Sequence, residues 1–384
     1  MNSHGDLPLL LFSRGHGDAD FYYASRFDVE SAVYVRFAAG DDLLVVATME
    51  LERARSEARV ARVADLAEFG WRERADPFAS WSELALRVLT ERGAGAVVTS
   101  PRLFAAIYHA LADAGVEVEI DARLFNEQRR RKSDEEAAAI RAAQRAAEAA
   151  CVEVIRKLAM AQCGSDGVLQ LDGRPLTSEL LMARAQLVLN EHGHSSSDMI
   201  VASSPGCAQP HFRGAGPVHA NGPVIIDIFP RGNASHFHGD LTRTVVPGTI
   251  SDAFRRMHDA SEAALDAAVR VLRAGADGRE VHRVACRVLV DRGYGTITKG
   301  FEGNPAGPLM KHSTGHGVGL EVHEAPYLRD LEYPLAEHDV VTVEPGLYLE
   351  GLGGVRVEDT GMVTADGFDN FTSLPRSLDP RAYL

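Results

Sequence analysis

Five residues in this chain stand in settings that could do metal chemistry. The stretch from Lys311 to Glu358 carries His316 in Ser313-Thr314-Gly315-His316-Gly317-Val318-Gly319, Glu344 in Val341-Thr342-Val343-Glu344, and Glu358 in Val355-Arg356-Val357-Glu358. An upstream stretch repeats the arrangement. Asp227 interrupts Val224-Ile225-Ile226-Asp227-Ile228-Phe229, and thirteen residues later Asp240 opens Asp240-Leu241-Thr242-Arg243-Thr244-Val245. Carboxylates on apolar strands are costly to bury unless paired or bound to a cation. Four carboxylates and one imidazole make a hard, oxygen-rich set whose charge two divalent cations would neutralise, within the group Mn²⁺, Fe²⁺, Co²⁺ and Zn²⁺. A metal pair sharing carboxylates lowers the pKa of a shared water and polarises a carbonyl, while neutral histidines nearby donate to an oxyanion or carry a proton.

Such a set needs rigid elements to aim it. The alternation in residues 341–344 puts the valines on one face and Thr342 and Glu344 on the other; in 355–358 it pairs Arg356 with Glu358. Pro345-Gly346 and Gly351, Gly353 and Gly354 punctuate the region between, which predicts an antiparallel hairpin with both glutamates on its strands. Asp240, Thr242 and Thr244 likewise share a face. The chain therefore predicts two hairpins facing each other across a site, each giving two carboxylates, with His316 adding a nitrogen.

The remaining chain supplies the frame. Its 384 residues accommodate two domains. Strand-like runs at 32–37 and 43–47 flank a turn at Gly40-Asp41-Asp42, and a charged helix is predicted from about Glu50 to Ala67. A helix near Trp81–Thr90, a strand at 96–99, a helix at 102–114 and a strand at 116–120 complete a small α/β domain over residues 1–125. The basic run Arg129-Arg130-Arg131-Lys132 reads as a solvated domain junction. Ser133 and Glu136 form a capping-box pattern that starts a helix reaching about Ala161. Further helices are predicted from about Thr177 to His192, over 251–273 and over 279–292, the last two closed by Gly275 and Gly293.

A formal net charge of -14 argues against nucleic acid as the main partner. No window approaches the length of apolar residues that a membrane span needs, and Leu9–Phe12, with no basic region before it, is too short for a leader core. The four cysteines show no metal-type pairing, and scattered free thiols point to a reducing cytoplasm.

The motifs Gly239–Thr244, His312–Glu324, Thr342–Tyr348 and Gly353–Asp359, in this order and spacing, resemble the signatures of the Xaa-Pro metallopeptidases, the prolidases and aminopeptidases P. The resemblance spans about Ser133 to Thr364. It implies an α+β chain in which residues 126–384 form a pita-bread catalytic domain, with helices around a pseudo-twofold antiparallel sheet, behind a creatinase-type N-terminal domain. It implies Asp227, Asp240, His316, Glu344 and Glu358 as ligands of two divalent ions, foremost Mn²⁺ with Co²⁺, Zn²⁺ or Fe²⁺ as alternatives. Asp240 and Glu358 would bridge, Asp227 would chelate one ion, and His316 and Glu344 would hold the other. It matches His211 and His323 to substrate-side histidines, gives Arg356 a place beside the last ligand, and makes Glu344 the proton shuttle. The implied substrate is a small peptide with proline at its second position, cleaved by a homodimer as a dipeptidase or, alternatively, as an aminopeptidase acting on longer peptides. A creatinase-like enzyme or a metal-free binding protein on the same fold would lack the acids present here.

In that family the two aspartates usually stand eleven apart rather than thirteen, which predicts a longer hairpin loop containing His236 and His238. Duller readings compete at single positions: an ion pair to Asp359 or a neighbouring acid for Arg356, a structural role for His211 and His323, surface or cap positions for His192, His194 and His312, and packing for Trp71 and Trp81.

Overall fold

Periodicity of two becomes architecture in the computed structural model, which describes residues 7–384. The chain divides into two compact units, Met1–Asn126 and Glu127–Leu384. Residues 1–6, on which the reading against a leader partly rests, lie outside the described residues.

The first unit contains strands β1 (Leu9–Arg14), β2 (Ser31–Ala38), β3 (Asp41–Val46), β4 (Arg62–Asp65), β5 (Ala96–Thr99) and β6 (Glu117–Ile120). They form one mixed sheet in the order β4-β3-β2-β1-β5-β6. Helices α1 (Ala19–Ser25), α2 (Leu51–Glu57), α3 (Pro77–Glu91) and α4 (Ala105–Asp113) cover both of its faces. Leu10, Phe12, Val33 and Val45 pack with α3 and α4, and Leu9, Leu11, Tyr34 and Leu44 with α1 and α2. Burial on both faces explains why Leu9–Phe12 is apolar at every position: it belongs to an interior strand. Trp71 and Trp81 are packing residues, with ring centroids 4.7 Å apart.

The charged helix predicted to Ala67 ends at Glu57, and β4 follows, parallel to β3. Of the four β4 residues only Ala64 is buried, so this short edge strand leaves no periodic trace in the sequence.

The second unit builds the same element twice, a helix pair laid over an antiparallel hairpin. In the first copy, α5 (Asn126–Arg130) leads into α6 (Asp134–Met160), whose Ser133–Glu136 capping box is formed, and α7 (Ser178–Glu191) packs against α6. Their apolar faces cover β7 (Ile200–Ser203), β8 (Val224–Ile228) and β9 (Leu241–Val245), a sheet ordered β7-β8-β9. In the second copy, α8 (Asp252–Val271) and α9 (Gly278–Asp291) cover β10 (Gly315–Gly317), β11 (Glu324–Leu328), β12 (Val340–Val343), β13 (Gly346–Leu349), β14 (Gly353–Arg356), β15 (Asp359–Val363) and β16 (Phe368–Asn370). One five-stranded sheet runs β11-β10-β12-β15-β16; β13 and β14 lie in a second sheet with the short strands Gly295–Thr296 and Leu309–Met310. Val224, Ile226 and Ile228 point into the first helical core, and Val341, Val343, Val355 and Val357 into the second. The alternate residues face the other way, and there the acids gather.

The basic run corrects the expectation of a solvated junction. Arg129, Arg130 and Lys132 are buried, and only Arg131 is exposed. Arg129 donates to Glu321 at 2.7 Å and Glu324 at 2.5 Å, and Lys132 Nζ to Glu324 at 2.9 Å. Arg130 forks onto Asp339 at 2.8 and 2.5 Å. Each acid lies about two hundred residues downstream, so no local pattern could announce the pairing. Among the described residues no helix is long and apolar enough to cross a membrane.

Candidate metal centre

Two strands deliver the first acids. In β8, Val224, Ile226 and Ile228 turn to the helices, so Ile225 and Asp227 turn away from them. Asp227 pairs in register with Thr242 of β9, and Asp240 stands one residue before that strand. The second hairpin differs from the reading that placed both glutamates on strands. Its ladder pairs Val343 with Asp359 in one sheet and Gly346 with Arg356 in the other, and Glu344 and Glu358 occupy the break between them. Pro345 has no N–H to give. At the break the backbone finds partners elsewhere: Glu344 N–H donates to Thr314 O at 2.8 Å, and Glu358 N–H to Thr242 O at 3.1 Å. The second of these bonds ties the two hairpins together.

His316 arrives on β10. Its flanking glycines allow the backbone to come close, since a Cβ at Gly315 would lie 2.0 Å from Thr342 O and one at Gly317 2.3 Å from Ala325 O. Nδ1 donates to Gly317 O at 3.1 Å, which turns the Nε2 lone pair toward the acids. Nε2 lies 3.4 Å from Glu344 Oε1 and 3.7 Å from Asp240 Oδ2. Ligand atoms of Asp240, His316 and Glu358 all fall within 4.8 Å of one another, and all three residues are buried. Glu358 Oε2 accepts from Thr242 Oγ1 at 2.7 Å. Asp227 Oδ2 accepts from Arg356 at 2.5 Å, while its Oδ1 is buried with no protein partner.

The electrostatics are those of a site awaiting positive charge. Burial raises the Asp240 carboxyl well above its ordinary range, and Glu358, Asp227 and Glu344 push it further. Burial, then Glu344 and Asp227, does the same to Glu358. Burial lifts Glu344 to about 7, against the pull of Arg356. Burial, assisted by His323, lowers His316 to about 3 and keeps its imidazole neutral, the form that ligates. The orphaned Asp227 oxygen, the crowded acids and the aimed Nε2 fit divalent cations, which would relieve the repulsion that Arg356 leaves in place.

The remaining candidates divide. His323 is exposed, with its ring centroid 4.1 Å from that of His316. His211 is exposed on the loop after Gly206–Ala208, where the neighbouring Pro210 carbonyl accepts from Arg356 at 3.2 Å. Arg356 makes its ion pair with Asp227, whereas Asp359 is taken by Arg243 at 3.0 Å. His312 is no surface residue. Partly buried, it donates from Nδ1 to Ser313 O at 2.8 Å and accepts at Nε2 from Tyr348 Oη at 2.9 Å, and that hydroxyl accepts from Arg356 at 2.8 Å. Burial, reinforced by Arg356, lowers His312 to about 3. Tyr348 and Thr242 are site residues that sequence reasoning missed; a period of two places Thr242 on the face of Asp240, whereas nothing local marks Tyr348.

His192 caps α7 by bonding Val188 O at 2.8 Å, and His194 bonds His192 O at 2.7 Å. In the long loop between the aspartates, His236 takes a positive φ of 64° and contacts Arg231, and the His238 N–H bonds Gly319 O at 2.8 Å. All four cysteines are free thiols.

The second unit's geometry defines a pita-bread fold with a carboxylate–histidine pocket. Two solved structures share it across nearly the whole chain: X-Pro aminopeptidase from Thermotoga maritima, with a TM-score of 0.80, 23% identity and coverage of 97% of both chains, and prolidase from Pyrococcus furiosus, with a TM-score of 0.76, 23% identity and coverage of 96% of this chain and 97% of that one. Residues 138–365 match Metallopeptidase family M24, and the chain belongs to that family. Among sequence relatives, the Xaa-Pro dipeptidase of Pyrococcus furiosus is 34% identical over 183 residues, 47% of this chain and 49% of the relative. Xaa-Pro aminopeptidase 1 of Streptomyces coelicolor is 31% identical over 245 residues, 56% of this chain and 48% of the relative. The chain thus spans about half the length of the curated relatives it matches.

Proposed function

We propose that this chain is a dinuclear metal-dependent exopeptidase that hydrolyses Xaa-Pro bonds, acting first as a dipeptidase. The observation that carries the reading is the buried meeting of Asp240, His316 and Glu358 within 4.8 Å, with Glu344 at 3.4 Å from the same imidazole. Two divalent cations held by Asp227, Asp240, His316, Glu344 and Glu358 would supply a water of lowered pKa and a Lewis acid for the scissile carbonyl. Glu344, beside the His316 imidazole at 3.4 Å, is suited to take a proton from the attacking water and return it to the proline nitrogen. His323, its ring centroid 4.1 Å from that of His316, and His211, next to the Pro210 carbonyl that accepts from Arg356, would donate to the oxyanion. Arg356 orients Asp227 through their 2.5 Å pair.

Mn²⁺ as the working metal ahead of Co²⁺, Zn²⁺ or Fe²⁺, a homodimer and a cytoplasmic setting complete the reading by family analogy. Metal analysis, light scattering and cell fractionation check them in turn. Similarity to Xaa-Pro aminopeptidase 1 supports the second reading, cleavage of longer peptides. The deciding experiment compares proline release from Ala-Pro or Leu-Pro with cleavage of Xaa-Pro-Pro peptides by chelator-stripped protein, with and without added Mn²⁺. Mn²⁺-restored dipeptide cleavage is expected. Strong preference for the tripeptide moves the assignment to an aminopeptidase, and failure to bind any metal sinks the enzyme reading in favour of a metal-free binding protein.

A further inference from the structure

Helix α6 bonds the Asp240 backbone with the side chain of Gln144. That side chain is fully buried, a costly place for a primary amide unless its groups are matched. Oε1 accepts from the Asp240 N–H at 2.9 Å. Nε2 donates to the Asp240 carbonyl and to Thr372 Oγ1, each at 2.9 Å. The same carbonyl accepts from Thr360 Oγ1 at 2.8 Å. One residue earlier, Gly239 lies directly on the helix, where a Cβ would stand 2.6 Å from the Gln144 backbone nitrogen.

This grip falls where the chain needs one. The ladder between β8 and β9 ends at the pair Ile228 and Leu241, so Asp240 lies one residue beyond it. Its N–H and C=O are held by side chains in place of a strand partner. On its other side runs the loop of residues 229–239, longer than the family resemblance implies. A carboxylate on a backbone without a ladder would have to be ordered by the metal itself, which would cost affinity.

We propose that Gln144 is a positioning residue of the metal centre: by gripping the Asp240 backbone it sets the direction of the Asp240 carboxylate before any metal binds. The inference rests on the metal reading of the five-residue set.

The test uses Gln144→Met, which keeps the volume and removes three hydrogen bonds, and Gln144→Glu, which keeps the shape and sets an oxygen against the Asp240 carbonyl. Mn²⁺ affinity is measured by calorimetry on chelator-stripped full-length protein, beside the unfolding midpoint in chelator. Removing an outer partner of a ligand lowers metal affinity about 10–100-fold, and a loss of that size in the folded variants is the expected result. A lowered midpoint with Mn²⁺ affinity unchanged would mean a structural role only and overturns the proposal. Should neither variant fold, hydrogen exchange on the wild type decides. Equal protection of the Asp240 amide with and without Mn²⁺ supports pre-positioning; protection that appears only with Mn²⁺ overturns it. A wild type that binds no Mn²⁺ overturns the metal reading as well, whereas binding equal in wild type and variants overturns this inference alone.

Discussion

The hairpin of Asp227 and Asp240 and the hairpin of Glu344 and Glu358 bring the same number of carboxylates to one place by different routes. The first keeps its ladder through Asp227, which sits inside β8 opposite Thr242, and closes with a long loop. The second abandons its ladder where its acids lie, passing from one sheet to another across Glu344-Pro345 and Val357-Glu358. Each then depends on the other. Arg356 of the second hairpin holds Asp227 of the first, and Thr242 of the first donates to Glu358 of the second. Asp227, inside a strand, has its direction from the pleat; Glu358, in a break, takes a partner from outside, and that partner, Thr242, lies across the site.

The largest test of this symmetry takes one proposed ligand from each hairpin. Asp240→Ala and Glu358→Ala should each lower Xaa-Pro hydrolysis at least about a hundredfold, since losing an outer partner alone costs 10–100-fold. Both should also lose bound metal by elemental analysis. Retained metal and rate in either variant would show that its hairpin is dispensable.

Breaking the link from the second hairpin to the first comes next. Arg356→Met leaves Asp227 buried without its partner, and denaturant unfolding of metal-free protein at pH 8 should show a loss of about 3–5 kcal/mol. A loss under about 1 kcal/mol would mean that the pair is no link at all.

Metal removal at varied pH follows. In the metal-free protein Asp240, Glu344 and Glu358 hold their protons to higher pH than they would unfolded, so their contribution to stability is full below about pH 4.3 and is lost as pH rises through the folded value, about 7 for Glu344. The unfolding midpoint of stripped protein should therefore fall relative to Mn²⁺-loaded protein between those limits. A gap that is constant across this range would contradict the acid crowding. The smallest effect belongs to the reverse link, where Thr242→Val removes the donor to Glu358 and should cost about 1–3 kcal/mol by the same unfolding measurement.

Local rules carried far in this chain. The Ser133–Glu136 capping box forms as written, because both partners lie within one turn. The alternation at 341–344 and 355–358 does put the valines in the helical core and leaves the polar residues facing the other way, because the pleat alone decides that. Where such rules met long-range partners they failed. Arg129, Arg130 and Lys132 look like a solvated run until Glu321, Glu324 and Asp339 fold against them. His312 looks like a surface histidine until Tyr348 reaches it from β13.

By itself the sequence determined which residues face away from the cores, where the principal helices begin, and which acids and imidazole were available for a cation. Tertiary structure alone decided that the second hairpin breaks at its two glutamates, that Arg356 spends its charge on Asp227, and that Gln144 grips Asp240. The contacts of Arg356 with Asp227, of Gln144 with Asp240, and of Glu358 with Thr242 at the break each join residues more than ninety positions apart. Pleat, capping and charge act over a few residues, whereas a buried polar group takes whichever partner the packing brings within about 3 Å.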